Sequence, residues 1–209
     1  MTGREGEQEL TEIEQKFDVP AGFVLPSLTG PGVASETPPD VLNLSATYFD
    51  TAGLRLATAK ITLRRRTGGT DAGWHIKLPV SADTRRELHF PLDLGEHEVP
   101  GQVAAEVAQW TGGEPLRPVA RLDNRRTIRR LLGQSGQPLA EIADDAVSAY
   151  RPDPADPARW RPAGSWRELE VELVTGTRSL LNATAGQLRA AGASPSKSAS
   201  KLARVLGTG

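Results

Sequence analysis

The stretch ELTEIEQKF, residues 9–17, alternates like a β-strand but carries charges on one of its sides. Successive side chains point to opposite faces of a strand, so Glu12, Glu14 and Lys16 share one face while Phe17 lies on the other. The water-exposed side of an antiparallel sheet would account for an isolated pattern of this kind. The rest of the chain must therefore indicate whether this ionic face meets water or a ligand.

Seven further stretches have the alternation typical of strands. They cover residues 42–50, 60–66, 73–79, 85–92, 116–132, 137–149 and 165–175. Helical spacing of apolar residues occurs at 101–110, 177–191 and 197–206, and the Pro-rich segment 150–165 is interpreted as an excursion between the last two strands. Strands followed by a helix in both halves predict one eight-stranded antiparallel structure, so a single domain is expected over residues 1–209.

Composition argues against several classes of function. The 209 residues carry a formal net charge of −1, which gives no global field that would favour nucleic acid or a membrane surface. The chain has no cysteine, which excludes disulfides, thiolate metal sites and thiol nucleophiles. The N-terminal MTGREGEQEL lacks the apolar core of a signal peptide, and no apolar run reaches membrane-spanning length. A cytoplasmic protein is therefore expected, with neither a membrane nor nucleic acid as partner.

Charges of one sign collect on particular strands. By parity every predicted strand has one densely ionic face; acids gather in the first, seventh and eighth strands, and arginine or lysine in the third, fourth and sixth. Like charges placed opposite each other destabilise a sheet, so stability alone does not favour this arrangement. Carboxylates bind hard divalent cations and clustered arginines bind phosphate, so a metal-bound polyphosphate would match both. Closing the sheet turns these faces inward. The expected fold is α+β, a closed eight-stranded antiparallel β-barrel with helices packed outside.

The order of the motifs resembles the CYTH domain of the triphosphate tunnel metalloenzymes. The resemblance is carried by E-x-E-x-K near the N-terminus, YFDT (48–51), LRRRTGG (63–69), WHIKLP (74–79), RRELHFPL (85–92), ELEVEL (168–173) and SKLARVL (200–206). It implies an eight-stranded tunnel that binds triphosphates together with Mg²⁺ or Mn²⁺. Inorganic triphosphatases, thiamine triphosphatases and class IV adenylate cyclases belong to this family.

The resemblance also implies roles for individual residues. The implied metal ligands are Glu12, Glu14, Asp145, Glu170 and Glu172, and the implied phosphate-binding cations are Lys16, Arg64, Arg66, Lys77, Arg85, Arg126 and Lys201. Lys16, Arg64 and Asp145 are the implied catalytic residues. Asp144 remains an alternative to Asp145, Arg125 to Arg126, and Lys197 to Lys201.

Neighbouring residues on the same strands extend this assignment. The resemblance further implies that Glu87, two residues after Arg85, holds this arginine as an ion-pair partner. His75 and His89 fall on ionic faces and are candidate general bases, although a histidine in a strand is more often structural.

These features predict metal-dependent hydrolysis of a triphosphate or polyphosphate by a monomer or homodimer. The aromatic content of 5% offers few rings to stack a base or a thiazolium, which favours inorganic triphosphate over thiamine or nucleoside triphosphates. One alternative is an adenylate cyclase of class IV type. The other is a non-catalytic module that binds polyphosphate or nucleotide, against which the many carboxylates argue.

Overall fold

The computed structural model describes residues 8–30, 32–81, 83–95 and 98–208, without the side chains of Gln8 and Glu9. The strands are β1 (Gln8–Asp18), β2 (Ser35–Glu36), β3 (Asp40–Asp50), β4 (Thr62–Thr67), β5 (Gly73–Pro79), β6 (Thr84–Phe90), β7 (Arg117–Leu132), β8 (Pro138–Pro152), β9 (Trp160–Leu173) and β10 (Ser194–Pro195). The helices are α1 (Arg55–Thr58), α2 (Gly101–Thr111), α3 (Arg178–Ala190) and α4 (Lys201–Leu206), with a 3₁₀ turn at Leu92–Leu94. Within the described residues, no helix has the length and apolar content needed to span a membrane.

Eight long strands close into the predicted antiparallel barrel. Their order is β1-β6-β5-β4-β3-β7-β8-β9, and β9 pairs back with β1. Strand β1 closes the ring by dividing its pairing: residues 8–13 pair with β6, and residues 14–18 pair with β9. The edge left free at Phe17 and Asp18 is covered by β10. The charged stretch quoted first is therefore the seam of the barrel.

Apolar packing on the outside of the barrel orients the ionic faces inward. One cluster joins Phe17 to Leu188 of α3 and to Phe23 and Leu28 of the 19–34 connector. Another packs α2 on Trp74 and its neighbours in β4–β6. At roughly 25 cal/mol per Å² of buried apolar surface, these contacts supply the main favourable term for closure.

The barrel interior is partly apolar, which differs from the expectation of inward-facing ionic residues on every strand. Ala46, Tyr48, Leu122 and Val147 belong to the lumen-facing sides of β3, β7 and β8, and they pack with Leu202 of α4. Helix α4 therefore packs against lumen-facing side chains rather than on the outer wall alone. Because α4 begins at Lys201, with the Ser200 hydroxyl accepting from the Ala203 N–H, its start lies four residues after the predicted one.

Two other segments differ from their predicted structure. The Pro-rich segment 150–165 is mostly a continuation of strands, since β8 runs to Pro152 and β9 begins at Trp160. Helix α1 was not predicted, because four residues are too few to show a helical period.

Asp50 of the YFDT motif explains why α1 forms. Its buried carboxylate accepts hydrogen bonds from the backbone N–H groups of Thr51, Leu56 and Ala57 at 2.7, 2.9 and 2.9 Å. These bonds satisfy donors at the start of a helix that would otherwise lack partners. The turn that follows leaves Lys60 in the left-handed region, with φ 59°. Asp50 is therefore a structural residue that fixes the position of Lys60.

Replacing Asp50 with alanine should lower the free energy of unfolding by about 3 kcal/mol, because buried N–H groups would lose their acceptor. Urea unfolding followed by circular dichroism measures this loss. Asp50→Asn, which retains one acceptor oxygen, should lose less, and Asp93→Ala at an exposed acid should change little. Equal losses in Asp50→Ala and Asp93→Ala would contradict the capping role.

Candidate functional site

A cavity of about 550 Å³ occupies the barrel interior. Its wall contains every predicted metal-binding or phosphate-binding residue except Asp145: Glu12, Glu14, Lys16, Arg64, Arg66, Lys77, Arg85, Arg126, Glu170, Glu172 and Lys201. The alternation of each strand brings these residues to the same side, and closure brings the strands together. We call this cavity the tunnel.

The two ambiguous pairs on β7 and β8 point in opposite directions. Asp145 is completely buried and binds Arg126 of the tunnel wall. Asp144 lies on the other face, where its carboxylate accepts two hydrogen bonds from Arg167 at 2.8 and 2.7 Å. Arg125 is likewise on the outer face and exposed. Only Asp145 and Arg126 of these pairs are therefore near the tunnel.

Lys201 holds a cluster of three carboxylates from β8 and β9. Carboxylate oxygens of Asp145, Glu168 and Glu170 lie within 4.8 Å of one another, a spacing that could accommodate a metal ion. The Lys201 ammonium lies 2.8, 2.7 and 2.7 Å from the three groups, respectively. Its alternative, Lys197, is exposed. The cluster therefore already contains a cation that belongs to the protein, and we call it the paired cluster.

Arg126 and Lys16 complete the neutralisation of the paired cluster. Arg126 donates to both oxygens of Asp145 at 2.8 and 2.7 Å and to Glu170 at 2.6 Å. Lys16 binds Glu170 at 2.6 Å. Burial alone would raise the pKa of Glu170, but Lys16, Lys201 and Arg126 hold it well below its usual value. Burial likewise opposes ionisation of Asp145, but Lys201 and Arg126 lower its pKa to about 2. Both oxygens of Asp145 are therefore engaged by cations of the protein, and its role as a metal ligand stays a prediction.

A second carboxylate group lies at the seam and has fewer cationic partners, since Lys77 pairs with Glu12 and Lys16 with Glu14. Glu14 on β1 is directly opposite Glu172 on β9, and Glu12 is two residues further along β1. Burial raises the pKa of Glu12 to about 8, although Lys77 donates to it. Burial also raises the pKa of Glu172 to about 7, against the opposing charge of Lys77. Among the described residues, Glu172 has neither a hydrogen bond nor an ion pair. We call Glu12, Glu14 and Glu172 the seam carboxylates.

The seam carboxylates have the chemistry expected of a divalent-cation site. They offer oxygen ligands from neighbouring positions of β1 and β9, and burial raises the pKa of Glu12 and of Glu172 far enough to favour their protonated forms when no further positive charge is present. Glu14 differs, since burial opposes its ionisation but Lys16 lowers its pKa. A hard cation would supply the missing charge, so the residues present fit such an ion.

A basic wall consists of Arg64, Arg66 and Lys77 on β4 and β5, and its Lys77 contacts Glu12. Arg64 lies 3.4 Å from the Tyr48 hydroxyl, and its Nε is buried without a partner among the described residues. Arg66 pairs with Asp71, and its Nε likewise lacks a described partner. Burial and the nearby charges of Arg64 and Arg126 lower the pKa of Arg66 to about 9. Crowding of cations in a buried wall favours an anionic ligand.

Glu87 organises this basic wall, contrary to the prediction that it pairs with Arg85. Its carboxylate lies 2.9 Å from His75, 3.7 Å from Arg64 and 3.9 Å from Lys77. Arg85 instead donates to the backbone carbonyls of Ser81 and Thr84. The prediction failed because two residues on one face of β6 can turn to different neighbours, and Glu87 reaches side chains of β5 and β4 instead.

The two candidate histidines do not line the tunnel. His75 is buried, and its two ring nitrogens contact Glu87 and the Asp71 carbonyl at 2.9 Å each. Burial lowers the pKa of His75 to about 3, so the ring is neutral. His89 packs against it, with ring centroids 4.7 Å apart. The contacts of both rings are therefore with other parts of the protein and not with the cavity.

One wall of the tunnel is apolar, so the expectation of an ionic face on every strand is wrong for β3. Leu42, Leu44 and Ala46 of β3 face the cavity beside Leu122 of β7. The Asn124 side chain lies among them, and its Oδ1 is buried with no hydrogen-bond partner in the described part of the chain. An acceptor beside an apolar wall would suit a donor on an organic group.

Sequence reasoning missed several residues that the structure brings to the site. Glu168 belongs to the paired cluster, and Glu141 lines the tunnel opposite Glu172 while pairing with Arg130. Alternation places both residues on the same faces as the predicted site residues of their strands, so the sequence pattern could have identified them. No comparable signal exists for Lys60 at the cavity wall, because its position depends on the turn after α1.

Comparison with known proteins agrees with this architecture. The profile of the CYTH domain matches residues 10–206. This chain belongs to the CYTH domain family. Two Mycobacterium tuberculosis proteins, uncharacterized protein MT2285 of strain CDC 1551 and uncharacterized protein Rv2226 of strain H37Rv, are each 42% identical to it over 205 residues. The match covers 94% of this chain but only 40% of the length of each relative.

Solved structures show the same fold at low sequence identity. HpAC1 from Hippeastrum, a proposed adenylyl cyclase described as having a dominant triphosphatase activity, superposes with a TM-score of 0.57 at 17% identity, covering 94% of this chain and 95% of its own. A proposed adenylate cyclase from Bacillus halodurans gives a TM-score of 0.56 at 16% identity, covering 94% and 97%. The CYTH barrel is therefore preserved where most side chains differ.

Charge removal should have opposite effects in the two carboxylate groups of this CYTH domain. Glu170→Gln should lower the free energy of unfolding by about 3 kcal/mol, because Lys16, Lys201 and Arg126 would lose a buried partner. Glu172→Gln should leave stability unchanged or raise it, since this group lacks a cation and repels Glu14. Urea unfolding of both variants in chelator measures the contrast. A large loss in Glu172→Gln and none in Glu170→Gln would contradict the assignment of paired and unpaired groups.

The seam carboxylates should also make stability fall as pH rises. With folded-state pKa values of about 8 for Glu12 and about 7 for Glu172 against an ordinary 4.5, the folded protein binds more protons than the unfolded chain within this window. The contribution of these two groups to the free energy of unfolding therefore decreases from about pH 5 to about pH 8 in chelator, and it exceeds the opposite contribution of the single His75, whose lowered pKa acts only up to about its ordinary 6.5. Adding Mg²⁺ or Mn²⁺ should raise the melting temperature more at about pH 8 than at about pH 5, because the ion competes with protons. Stability that increases with pH across this window would contradict the prediction.

Proposed function

We propose that this CYTH domain hydrolyses a triphosphate substrate with the help of a divalent metal ion. The observation that supports this most directly is that the seam carboxylates and a buried basic wall line the same cavity. Carboxylates and cations in this arrangement match the two halves of a metal–polyphosphate complex. The proposal concerns this domain, which spans less than half of the length of its M. tuberculosis relatives.

The seam carboxylates Glu12, Glu14 and Glu172 are the proposed holders of Mg²⁺ or Mn²⁺. When bound, such an ion neutralises phosphate oxygens and lowers the pKa of a coordinated water. Glu170 belongs to the same pair of strands but already binds Lys16, Arg126 and Lys201. We therefore assign Glu170 to holding these cations beside the metal site.

The cations are proposed to bind the phosphate chain and stabilise its charge during transfer. Arg64, Arg66 and Lys77 face the cavity from one wall, and Arg126 faces it from another. Stabilising the equatorial and leaving oxygens is most of what phosphoryl transfer requires of a protein. Asp145 acts through Arg126 and Lys201, so we propose it as a positioning residue.

Inorganic triphosphate is the favoured substrate. Trp166 faces the barrel interior, but its indole N–H donates to Glu168 and Arg204 packs over its ring at 4.8 Å. Trp74 is completely buried under α2. These surroundings leave few aromatic faces for a base or a thiazolium.

A nucleoside triphosphate is the second candidate because of the apolar β3–β7 wall and the unpartnered Asn124 oxygen. With ATP, either water or the ribose 3′-hydroxyl could attack phosphorus, giving hydrolysis in the first case and cyclic AMP with pyrophosphate in the second. The wall would contact the nucleoside, and Asn124 would accept from an N–H of the base.

A substrate screen distinguishes these proposals. Phosphate release from tripolyphosphate, ATP and thiamine triphosphate should be measured with Mg²⁺ or Mn²⁺, together with cyclic AMP formation. We expect tripolyphosphate to give the highest kcat/KM, activity to disappear in excess chelator, and Asn124→Leu to leave tripolyphosphate turnover unchanged. Full turnover in chelator would reject the metal-dependent proposal. A specific loss of ATP turnover in Asn124→Leu, with ATP the better substrate, would favour the nucleotide.

A further inference from the structure

Arg66 of the basic wall already binds an acid of the protein itself. Its Nη2 donates to the carboxylate of Asp71, and both residues line the tunnel. Asp71 lies in the turn between β4 and β5, and within the described residues it is the one acid that pairs with Arg66. An anionic ligand that binds this arginine must therefore share it with Asp71 or displace Asp71.

The two partners of this ion pair are exposed to very different extents. The Arg66 side chain is 7% exposed, whereas the Asp71 side chain is 57% exposed. A carboxylate that is more than half exposed regains water when it leaves its partner, and ion pairs of this kind contribute little to stability. Arg66 has no comparable freedom, because it is buried in the wall. Asp71 is therefore the partner that can leave.

Asp71 satisfies Arg66 only in part. Nη2 has an acceptor, but Nε is buried without a partner among the described residues. Burial, together with the nearby charges of Arg64 and Arg126, lowers the pKa of Arg66 to about 9, so the arginine gains from any additional negative charge. A phosphate group can accept two parallel hydrogen bonds from one guanidinium and carries more charge than a carboxylate. Arg66 would therefore bind a phosphate better than it binds Asp71.

The backbone around Asp71 is held in place, so only its side chain needs to move. The Asp71 carbonyl oxygen lies 2.9 Å from Nε2 of the buried His75. Earlier in the same turn, Gly68 has a φ of 80°, and a Cβ at this position would lie 2.2 Å from the backbone oxygen of Asn43 in β3. The turn is thus packed against its surroundings on both sides. A change of the Asp71 rotamer releases Arg66 without opening of the loop.

We propose that Asp71 is an internal competitor of the substrate, a role that rests on the proposed function. Its carboxylate holds Arg66 in the free protein and leaves when a phosphate group binds this arginine. Asp71 thereby stabilises a buried cation before the substrate arrives and weakens substrate binding by the free energy needed to release it. A ligand with a single carboxylate offers Arg66 little that Asp71 does not already supply, so the contact favours multiply charged phosphates.

Asp71→Asn tests this role, because it removes the charge and keeps the shape of the side chain. Asp93→Asn is the matched control, the same change at an exposed acid of the 3₁₀ turn that does not line the tunnel. Binding of tripolyphosphate is measured by calorimetry in excess chelator, so that metal-dependent turnover does not consume the ligand. Physiological ionic strength screens remote charges. The melting temperatures of the ligand-free proteins are measured in parallel.

We expect Asp71→Asn to bind tripolyphosphate about fivefold more tightly than the wild type, the gain that corresponds to release of an ion pair worth about 1 kcal/mol. The ligand-free variant should melt at a lower temperature, because the buried Arg66 loses its charged partner. Tighter binding combined with lower stability is the signature of competition. Asp93→Asn should change neither quantity. The gain in affinity should disappear in an Arg66→Gln background, where the arginine is no longer there to compete for.

Three results would overturn the proposal. Weaker or unchanged binding by Asp71→Asn would mean that Asp71 does not compete with the ligand, and weaker binding would indicate that it positions Arg66 instead. An equal gain in Asp93→Asn would indicate a general effect of net charge. A gain that persists in the Arg66→Gln background would indicate that Asp71 only repels the ligand.

The competition and the proposed hydrolase can fail separately. Turnover of tripolyphosphate with unchanged affinity in Asp71→Asn would reject the competition and leave the triphosphatase intact. Tighter binding by Asp71→Asn, without turnover in Mg²⁺ or Mn²⁺, would reject the hydrolase and support the competition in a tunnel that only binds anions. Absence of tripolyphosphate binding to the wild type and to Asp71→Asn would reject both.

Discussion

The Lys201 ammonium, bound to Asp145, Glu168 and Glu170, is the interaction on which the rest of the interior depends. These acids lie on adjacent strands, and burying them without a counter-charge would cost several kcal/mol each. Lys201 comes from the first turn of α4, so the same contact that neutralises the acids also docks the C-terminal helix on the barrel. Charge balance and tertiary structure are thus provided by one side chain.

The carboxylates of the interior are neutralised to different degrees, and this difference distinguishes the two acidic groups of the tunnel. Glu170 has three cationic partners and a strongly lowered pKa, whereas Glu172, two residues later on the same strand, has a raised one. The fold therefore retains one acidic group that is internally satisfied and another that lacks positive charge. An unsatisfied group of this kind is destabilising for the apo protein, and such sites are where binding is found when function is selected over stability.

The basic residues also combine groups that have a partner with groups that lack one. Glu87 and Tyr48 hold Arg64, and Asp71 holds Arg66, but both arginines keep a buried Nε with no described partner. Lys60, which lines the tunnel and is exposed, has no acidic partner within the described residues. Cations without acidic partners thus line the cavity at an exposed position as well as in the buried wall.

The sequence by itself determined the faces of the strands and the closed architecture. Side chains alternate with a period of two, so the placement of Glu12, Glu14 and Lys16 on one face of β1 follows from local geometry. Sign segregation among the strands then favoured closure. Asp145 and Asp144 could be placed on opposite faces by the same rule, although parity did not decide which face was inward.

Only the tertiary structure decided which charges meet. That Glu87 binds His75 rather than Arg85, that Lys201 reaches three acids, and that Glu172 has no described partner all depend on register between strands distant in sequence. Helix α1 and the position of Lys60 depend on a single buried carboxylate, since four residues carry no helical period of their own. Local alternation determines the face on which a side chain lies. Long-range packing determines which residue it contacts, because the free energy of a buried charge depends on neighbours that only the closed barrel brings together.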